Sequence, residues 1–213
     1  MRILRGCRPS FLPTVCFLQM AILGSIPSGA LMGQALPQAG TFTDSRDGSL
    51  YRWIRIESQV WMAENLRLVT ETGSWCYEDE AENCKEFGRL YDWPTAMSAC
   101  PPGWRLPSSE EWDLLKANLS PEAGTKMKKG GTSGFDGLMA GYRFYDGSFH
   151  RLGRTTDFWT TDPHRDDHSF LRNLRPESTE LETDAFGNQG AVSVRCVRTG
   201  GTGKPRRPET PVF

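Results

Sequence analysis

The chain has little with which to hold a metal ion. It contains no Cys-x-x-Cys and no Cys/His cluster, and a zinc site needs such ligand spacing. Only three histidines occur, His150, His164 and His168. Charge of one sign is also missing: 25 Lys and Arg face 26 Asp and Glu, a formal net charge of −1. No long-range field therefore draws the chain to nucleic acid or to an anionic membrane. The one apolar stretch, residues 11–23, is broken by Pro13. It is shorter than the roughly 20 residues a spanning helix needs, so no membrane span is expected. Nothing marks a serine activated by a neighbouring base, which removes triad hydrolysis. No internal repeat is present.

What is there begins with an export pattern. Arg2, Arg5 and Arg8 precede the apolar stretch, and Ser28, Gly29, Ala30, Gly33 and Ala35 follow it. Basic, apolar, then small is the order of a secretory signal peptide. Residues 1–35 are read as that peptide, with cleavage after Ala30 or Ala35. Cys7 and Cys16 would leave with it, and neither sits in a lipoprotein pattern, so no lipid anchor is expected. The far end, residues 200–213, reads as a disordered tail, Gly-rich and basic. Residues 42–199 remain as one folded domain, large enough for a real core.

Cys76, Cys84, Cys100 and Cys196 stay in that domain. An even count in an exported chain implies a disulfide framework, and four cysteines allow three pairings. The preferred pairing is Cys76 with Cys84 and Cys100 with Cys196. The second would close a loop of roughly 95 residues, worth on the order of 4 kcal/mol in the chain-entropy picture.

Residues 51–56 alternate as a strand, with Tyr51, Trp53 and Arg55 on one face and Arg52, Ile54 and Ile56 on the other. Gln59 to Met62 reads as its hairpin partner. Residues 90–100 are read as a helix, with Asp92 as cap and Pro94 in the first turn. A second helix starts after Ser108, where Ser108 and Glu111 form a capping box. Trp112, Leu115 and Leu119 recur at helical spacing toward the core, and Pro121 ends the run. Between Gly130 and Gly153, glycines alternate with Phe135, Tyr142, Phe144, Tyr145 and Phe149. That pattern reads as tight turns and short strands whose rings supply burial. Strands are expected at residues 158–161, 169–174 and 192–198. In the last, Val192, Val194 and Cys196 share a core-facing side.

Several of these runs resemble one family. They are Asp47-Gly48-x-x-Tyr51, Val60-Trp61-Met62-Ala63-Glu64-Asn65-Leu66-Arg67, Cys76-Tyr77 and Tyr91-Asp92-Trp93. Cys100-Pro101-Pro102-Gly103-Trp104-Arg105-Leu106-Pro107, Gly141-Tyr142-Arg143 and Ser193-Val194-Arg195-Cys196-Val197-Arg198 complete the set. Together they are similar to the Fibrobacter succinogenes major paralogous domain, from about residue 43 to 199. The resemblance implies an exported or surface protein of bacteria and a C-type-lectin-like fold, distantly similar to formylglycine-generating enzymes. It also implies the long Cys100–Cys196 disulfide of lectin-like domains. The expected class is therefore α+β: a disulfide-stapled lectin-like domain with two helices, short antiparallel strands and long loops.

The chemistry that such relatives use is not carried over. Lectin-like calcium sites use Glu-Pro-Asn or Gln-Pro-Asp and then Trp-Asn-Asp, and none occurs here. Calcium wants six to eight oxygens, and Glu78, Asp79, Glu80 and Glu82 read as a solvated loop. Formylglycine-generating catalysis needs a cysteine pair near the C-terminal end, where only Cys196 stands. No cofactor, no metal and no catalytic residue are expected. The expected ligand surface is the segment 162–189 with Trp159, whose polar and aromatic residues suit adaptable recognition on loops. Its residues are Trp159, Arg165, Asp166, His168, Arg172, Asn173, Arg175 and Asn188. The expected function is a secreted or cell-surface, non-enzymatic binding or display module with a protein or glycan ligand. The alternatives are a metal-dependent enzyme using His164 and His168, and a structural envelope protein.

Overall fold

The computed structural model describes residues 39–199. The expected signal peptide, 1–35, and the expected tail, 200–213, lie outside the described residues.

The domain is mixed α+β, with two sheets and four α-helices among the described residues. The chain opens with β1 (Ala39–Thr43), β2 (Leu50–Ile56) and β3 (Gln59–Met62) as an antiparallel meander. The hairpin at Glu57-Ser58 is the expected one; Glu57 turns it with a positive φ of 51°. Then come β4 (Ser74–Trp75), a 3-10 turn at Tyr77–Asp79, α1 (Ala81–Phe87), β5 (Leu90–Asp92) and α2 (Trp93–Ala99). The helices α3 (Ser109–Leu119) and α4 (Ala123–Met127) follow. The rest is β: β6 (Tyr142–Arg143), β7 (Phe149–His150), β8 (Thr156–Arg165), β9 (His168–Leu174), β10 (Glu182–Gly187), β11 (Ala191–Ser193) and β12 (Val197–Thr199).

The first sheet runs β1-β2-β3-β12, and the second runs β10-β9-β8-β11-β5-β4 with β6 and β7 attached beside β11. Both faces of the first sheet are buried. Tyr51, Val60 and Met62 enter one core cluster, with Tyr91, Trp159, Leu171 and Val194. Ile54, Ile56, Trp61 and Val197 enter the other, with Trp112, Leu115, Phe135 and Phe158. That explains why β2 alternates between two sets that each hold an apolar residue. Full burial of rings such as Trp61 and Trp112 contributes roughly 2–3 kcal/mol each.

The helix starts follow local chemistry. Ser108 Oγ accepts from the Glu111 amide at 3.3 Å, and Glu111 Oε2 accepts from the Ser108 amide at 3.0 Å, closing the capping box. Trp112 and Leu115 are buried, while Leu119 packs half-buried at the rim of the same cluster. Asp92 caps α2 by accepting from the Thr95 amide at 3.0 Å.

The structure corrects four expectations. Residues 90–92 are a strand, because Leu90 and Tyr91 pair with Ser193 and Val192 and the Asp92 cap starts the helix only at Trp93. Four α-helices replace the expected two; α1 takes in Glu82 of the acidic segment, whose four carboxylates are exposed as expected, and α4 follows Pro121. β10 stands where loops were expected, paired along its length with β9. The run 192–198 is two strands in different sheets: β11 pairs with β5 and β8, and β12 pairs with β3. Between them the backbone stays satisfied, since the Val194 and Cys196 carbonyls accept from the Leu66 and Met62 amides at 2.9 and 3.0 Å.

Two disulfides form, Cys76–Cys84 and Cys100–Cys196, with sequence separations of 8 and 96. The second ties the end of α2 to the crossover between the sheets. At that crossover the Arg195 side chain is fully buried. Its Nε and Nη2 donate to Asn65 Oδ1 at 3.0 and 2.7 Å, and Nη1 donates to the Met62 carbonyl at 3.1 Å. The carbonyls of Phe135 and Asp136 accept from Nη1 and Nη2. All five N–H groups of the guanidinium are thus used. The Phe135 ring centroid lies 4.3 Å from its carbon and the Phe158 centroid 5.5 Å, so two aromatic faces meet the cation. Burial pushes its pKa down to about 9, and it stays charged at neutral pH.

Replacing Arg195 by Met would strand Asn65 Oδ1, the two buried carbonyls of Met62 and Phe135 and the half-buried one of Asp136. The cost of such orphaned groups outweighs the relief of no longer burying a charge. Arg195→Met is expected to lose about 3–5 kcal/mol, read as a lowered urea midpoint at unchanged slope. Arg195→Lys, with three donors, should fall between the two proteins.

Candidate recognition surface

The segment expected to carry a ligand is the antiparallel β8-β9-β10 sheet, not a set of loops. Strand alternation divides its side chains between two faces. Trp159 stands opposite Leu171, which stands opposite Asp184; Phe158 stands opposite Arg172, which stands opposite Thr183.

Three of the expected ligand residues are structural. Trp159 is fully buried, and its Nε1 donates to the Tyr91 carbonyl at 2.7 Å. Arg172 turns inward, where its Nη2 reaches Asp113 Oδ1 at 2.8 Å and the Ser109 carbonyl at 3.1 Å. Asn173 is buried and donates to Thr155 Oγ1 at 2.8 Å and to Asp157 Oδ1. These side chains are spent on joining β8 to β5, β9 to α3 and β9 to β8, so none of the three faces solvent.

The other five are at the surface in two places. Arg165 and Asp166 are exposed, and His168 is half-buried, at the β8-β9 hairpin tip, where Arg165 pairs with His168. Asn188 joins this tip: its amide donates to the Asp167 carbonyl at 2.8 Å, and its Oδ1 is buried without a hydrogen-bond partner. Arg175 lies at the opposite end of β9, 3.5 Å from Glu182. His164 and His168 each have a different ring or carboxylate partner. His164 packs against the Phe170 ring with centroids 4.6 Å apart, and His168 Nδ1 lies 2.5 Å from Asp167 Oδ1. Among the described residues no group of three or more His, Cys, Asp or Glu side chains could hold a metal ion.

Beside the tip lies a surface that the sequence reading assigned to the core. Phe186, on β10, is adjacent to Gly187, which pairs with His168. Its ring lies 6.2 Å from Trp159, 5.4 Å from Tyr142 and 5.9 Å from Phe144, centroid to centroid. Phe144 continues to Tyr145 at 4.4 Å, and Tyr142 to His150 at 5.5 Å. Burial falls along this series: Trp159 is enclosed, Phe186, Tyr142 and Phe144 are half-buried, and Tyr145 is 66 % exposed. Gly190 permits the packing, because a Cβ there would stand 2.2 Å from the Phe186 ring.

The turn between β6 and β7 holds the outer rings in place. Phe144 and Ser148 bond through their backbones at 2.7 Å. Asp146 Oδ1 accepts from the Ser148 hydroxyl at 2.6 Å and amide at 2.9 Å, which holds its carboxyl below the usual carboxylate range. The neighbouring pair Phe144-Tyr145 was the available signal for this surface. Both follow β6 directly and lead into the turn at Asp146-Gly147, and turn residues lie at the surface rather than in a core.

The fold and this surface define a disulfide-stapled α+β domain whose hairpins present an aromatic face beside a polar tip. Its residues 54–198 match the Fibrobacter succinogenes major domain, and the chain belongs to that family. Comparison with curated proteins and with solved structures returned no match for either.

Beneath the sheet, Asp157 is 6 % exposed. Burial pushes its pKa up to about 6; the Asn173 hydrogen bond opposes this and Asp184 adds to it. The folded value lies above the ordinary 3.8. This carboxyl therefore favours the folded state fully below about pH 4, and that contribution is lost as pH rises through about 6. The difference corresponds to about 2–3 kcal/mol. Asp157→Asn is expected to gain about that much at pH 7 and little at pH 4, measured as urea midpoints at the two pH values.

Proposed function

We propose that this domain is a non-enzymatic recognition module, secreted or held at a bacterial cell surface, with a glycan or a protein as its ligand. The observation that carries this reading is the graded aromatic series ending in exposed Tyr145. Aromatic side chains offer large contact area with few rotors to freeze, and their rings accept both sugar faces and protein side chains. The polar tip beside them, with Arg165, Asp166, His168 and Asn188, supplies hydrogen-bonding groups for orientation.

Export is supported by the basic-apolar-small order of the N-terminal residues and by two disulfides, which persist in oxidising compartments. Among the described residues no helix is long and apolar enough to cross a membrane. The lectin-like part of the reading rests on the family resemblance and on the long clasp from a helix end to the C-terminal crossover.

The test is binding of the purified domain to a glycan array and to a panel of bacterial surface proteins. Tyr145→Ala with Phe144→Ala should weaken the selected ligand at least about tenfold, the loss of roughly 1.4 kcal/mol or more that a central aromatic contact carries. The urea midpoint should hold. Arg165→Ala with His168→Ala should weaken binding less. Unchanged affinity in the aromatic variant would remove this surface from the reading.

A further inference from the structure

The two disulfides stand in different surroundings. Cys196 is fully enclosed in a core cluster, and Cys100 packs against that cluster. Cys76 and Cys84 are both half-buried, and Cys84 lines a cleft of about 200 Å³ together with Arg67, Phe87, Lys129 and Asp136. Arg89 is held over this second pair. Its Nε and Nη2 donate to Ser74 Oγ at 3.1 Å and to the Ser74 carbonyl at 2.9 Å. That leaves Nη1 3.4 Å from both Cys76 Sγ and Cys84 Sγ. Arg89 has no carboxylate ion pair among the described residues.

We propose that Cys76–Cys84 is a thiol–disulfide exchange site for a dithiol reductant, and that Cys100–Cys196 is an inert clasp. A fixed guanidinium beside a sulfur stabilises the thiolate form, and exchange is faster when the departing sulfur leaves as a stable thiolate. The cleft gives the incoming thiolate access to Cys84. Its attack forms a mixed disulfide with Cys84 Sγ and breaks the Cys76–Cys84 bond, whose electron pair leaves on Cys76 Sγ beside Arg89. The second thiol of the reductant gives its proton to solvent and attacks the mixed disulfide. The reductant becomes an intramolecular disulfide, Cys84 leaves as a thiolate, and two electrons have passed to the protein.

The segment spanned by this bond is poised to respond. Glu78 and Asp79 hold left-handed φ values of 53° and 56°, a conformation costly for non-glycine residues. The helix α1 has seven residues and buries none of them, too short to persist by itself. Once the bond opens, α1 is still held at its C-terminal end, by Phe87 against a small core cluster and by the Asn65 Nδ2 bond to the Phe87 carbonyl at 2.8 Å, so its N-terminal turns are the part released.

The experiment treats the native full chain with graded ratios of reduced to oxidised dithiothreitol, traps thiols by alkylation and maps them by mass. Cys76 and Cys84 should be labelled at ratios that leave Cys100 and Cys196 bonded. Arg89→Met should slow that opening about three- to tenfold, and Arg89→Lys should restore part of the rate. In the reduced protein, thiolate absorbance should show a higher thiol pKa in Arg89→Met, a change that a merely structural arginine would not produce. Simultaneous opening of both disulfides, or a wild-type rate in a folded Arg89→Met protein, would overturn the proposal. If Arg89→Met does not fold, the order of opening in the wild-type chain decides.

Discussion

One fully buried cation, Arg195, ties the crossover between the two sheets to two other segments of the chain. Arg195 sits where the chain leaves one sheet for the other, and its five N–H groups bind the β3 end, the following segment and the Gly-rich loop. Among the described residues no carboxylate pairs with it; neutral carbonyls, an amide oxygen and two ring faces do the solvating. A charge without water is tolerated only when every donor is met. Residues 62–65, 135–136 and 195 must therefore keep their relative positions, and both core clusters are built around that requirement. The Cys100–Cys196 bond adds a covalent tie one residue away.

The rest of the architecture distributes rigidity around that point. The first sheet is buried on both faces along β3 and much of β2, while β1 and the start of β2 carry exposed residues. The second sheet is buried where it meets α3 and the first core cluster, and its exposed parts are the β8-β9 tip and the β6-β7 turn. The aromatic series runs outward from Trp159 in the core to Tyr145 in solvent, so the outer rings rest on an ordered base. The short Cys76–Cys84 loop is held by its own bond, by Arg89 and by buried Tyr77, which packs on Phe149.

Much of this was legible in local residue patterns. The hairpin of β2 and β3, the capping box at Ser108, the Asp92 cap and the inward Trp112 and Leu115 all follow from spacing within a few residues. Both disulfide pairings were the preferred ones, and the family was recognisable from its motifs. The misreadings share one cause. Leu90 and Tyr91 look helical beside Asp92 and Pro94 until their partners, 102 or so residues away at β11, are known. Residues 192–198 look like one strand until Arg195 draws its backbone from one sheet to the other. Trp159, Arg172 and Asn173 look like ligand residues because side chains with polar groups usually seek solvent. Asp113, 59 residues from Arg172, and Asp157, 16 from Asn173, are what turn two of them inward.

The sequence by itself determined the family, the α+β class, the cysteine framework and the helix caps, because those depend on residue identity and short spacing. Long-range packing settles which polar side chains are consumed in the core, which rings remain outside, and which disulfide stands beside an arginine and a cleft. Those outcomes depend on contacts between residues far apart in the chain, and burial decides whether a side chain with polar atoms serves as a structural bond or as an available site.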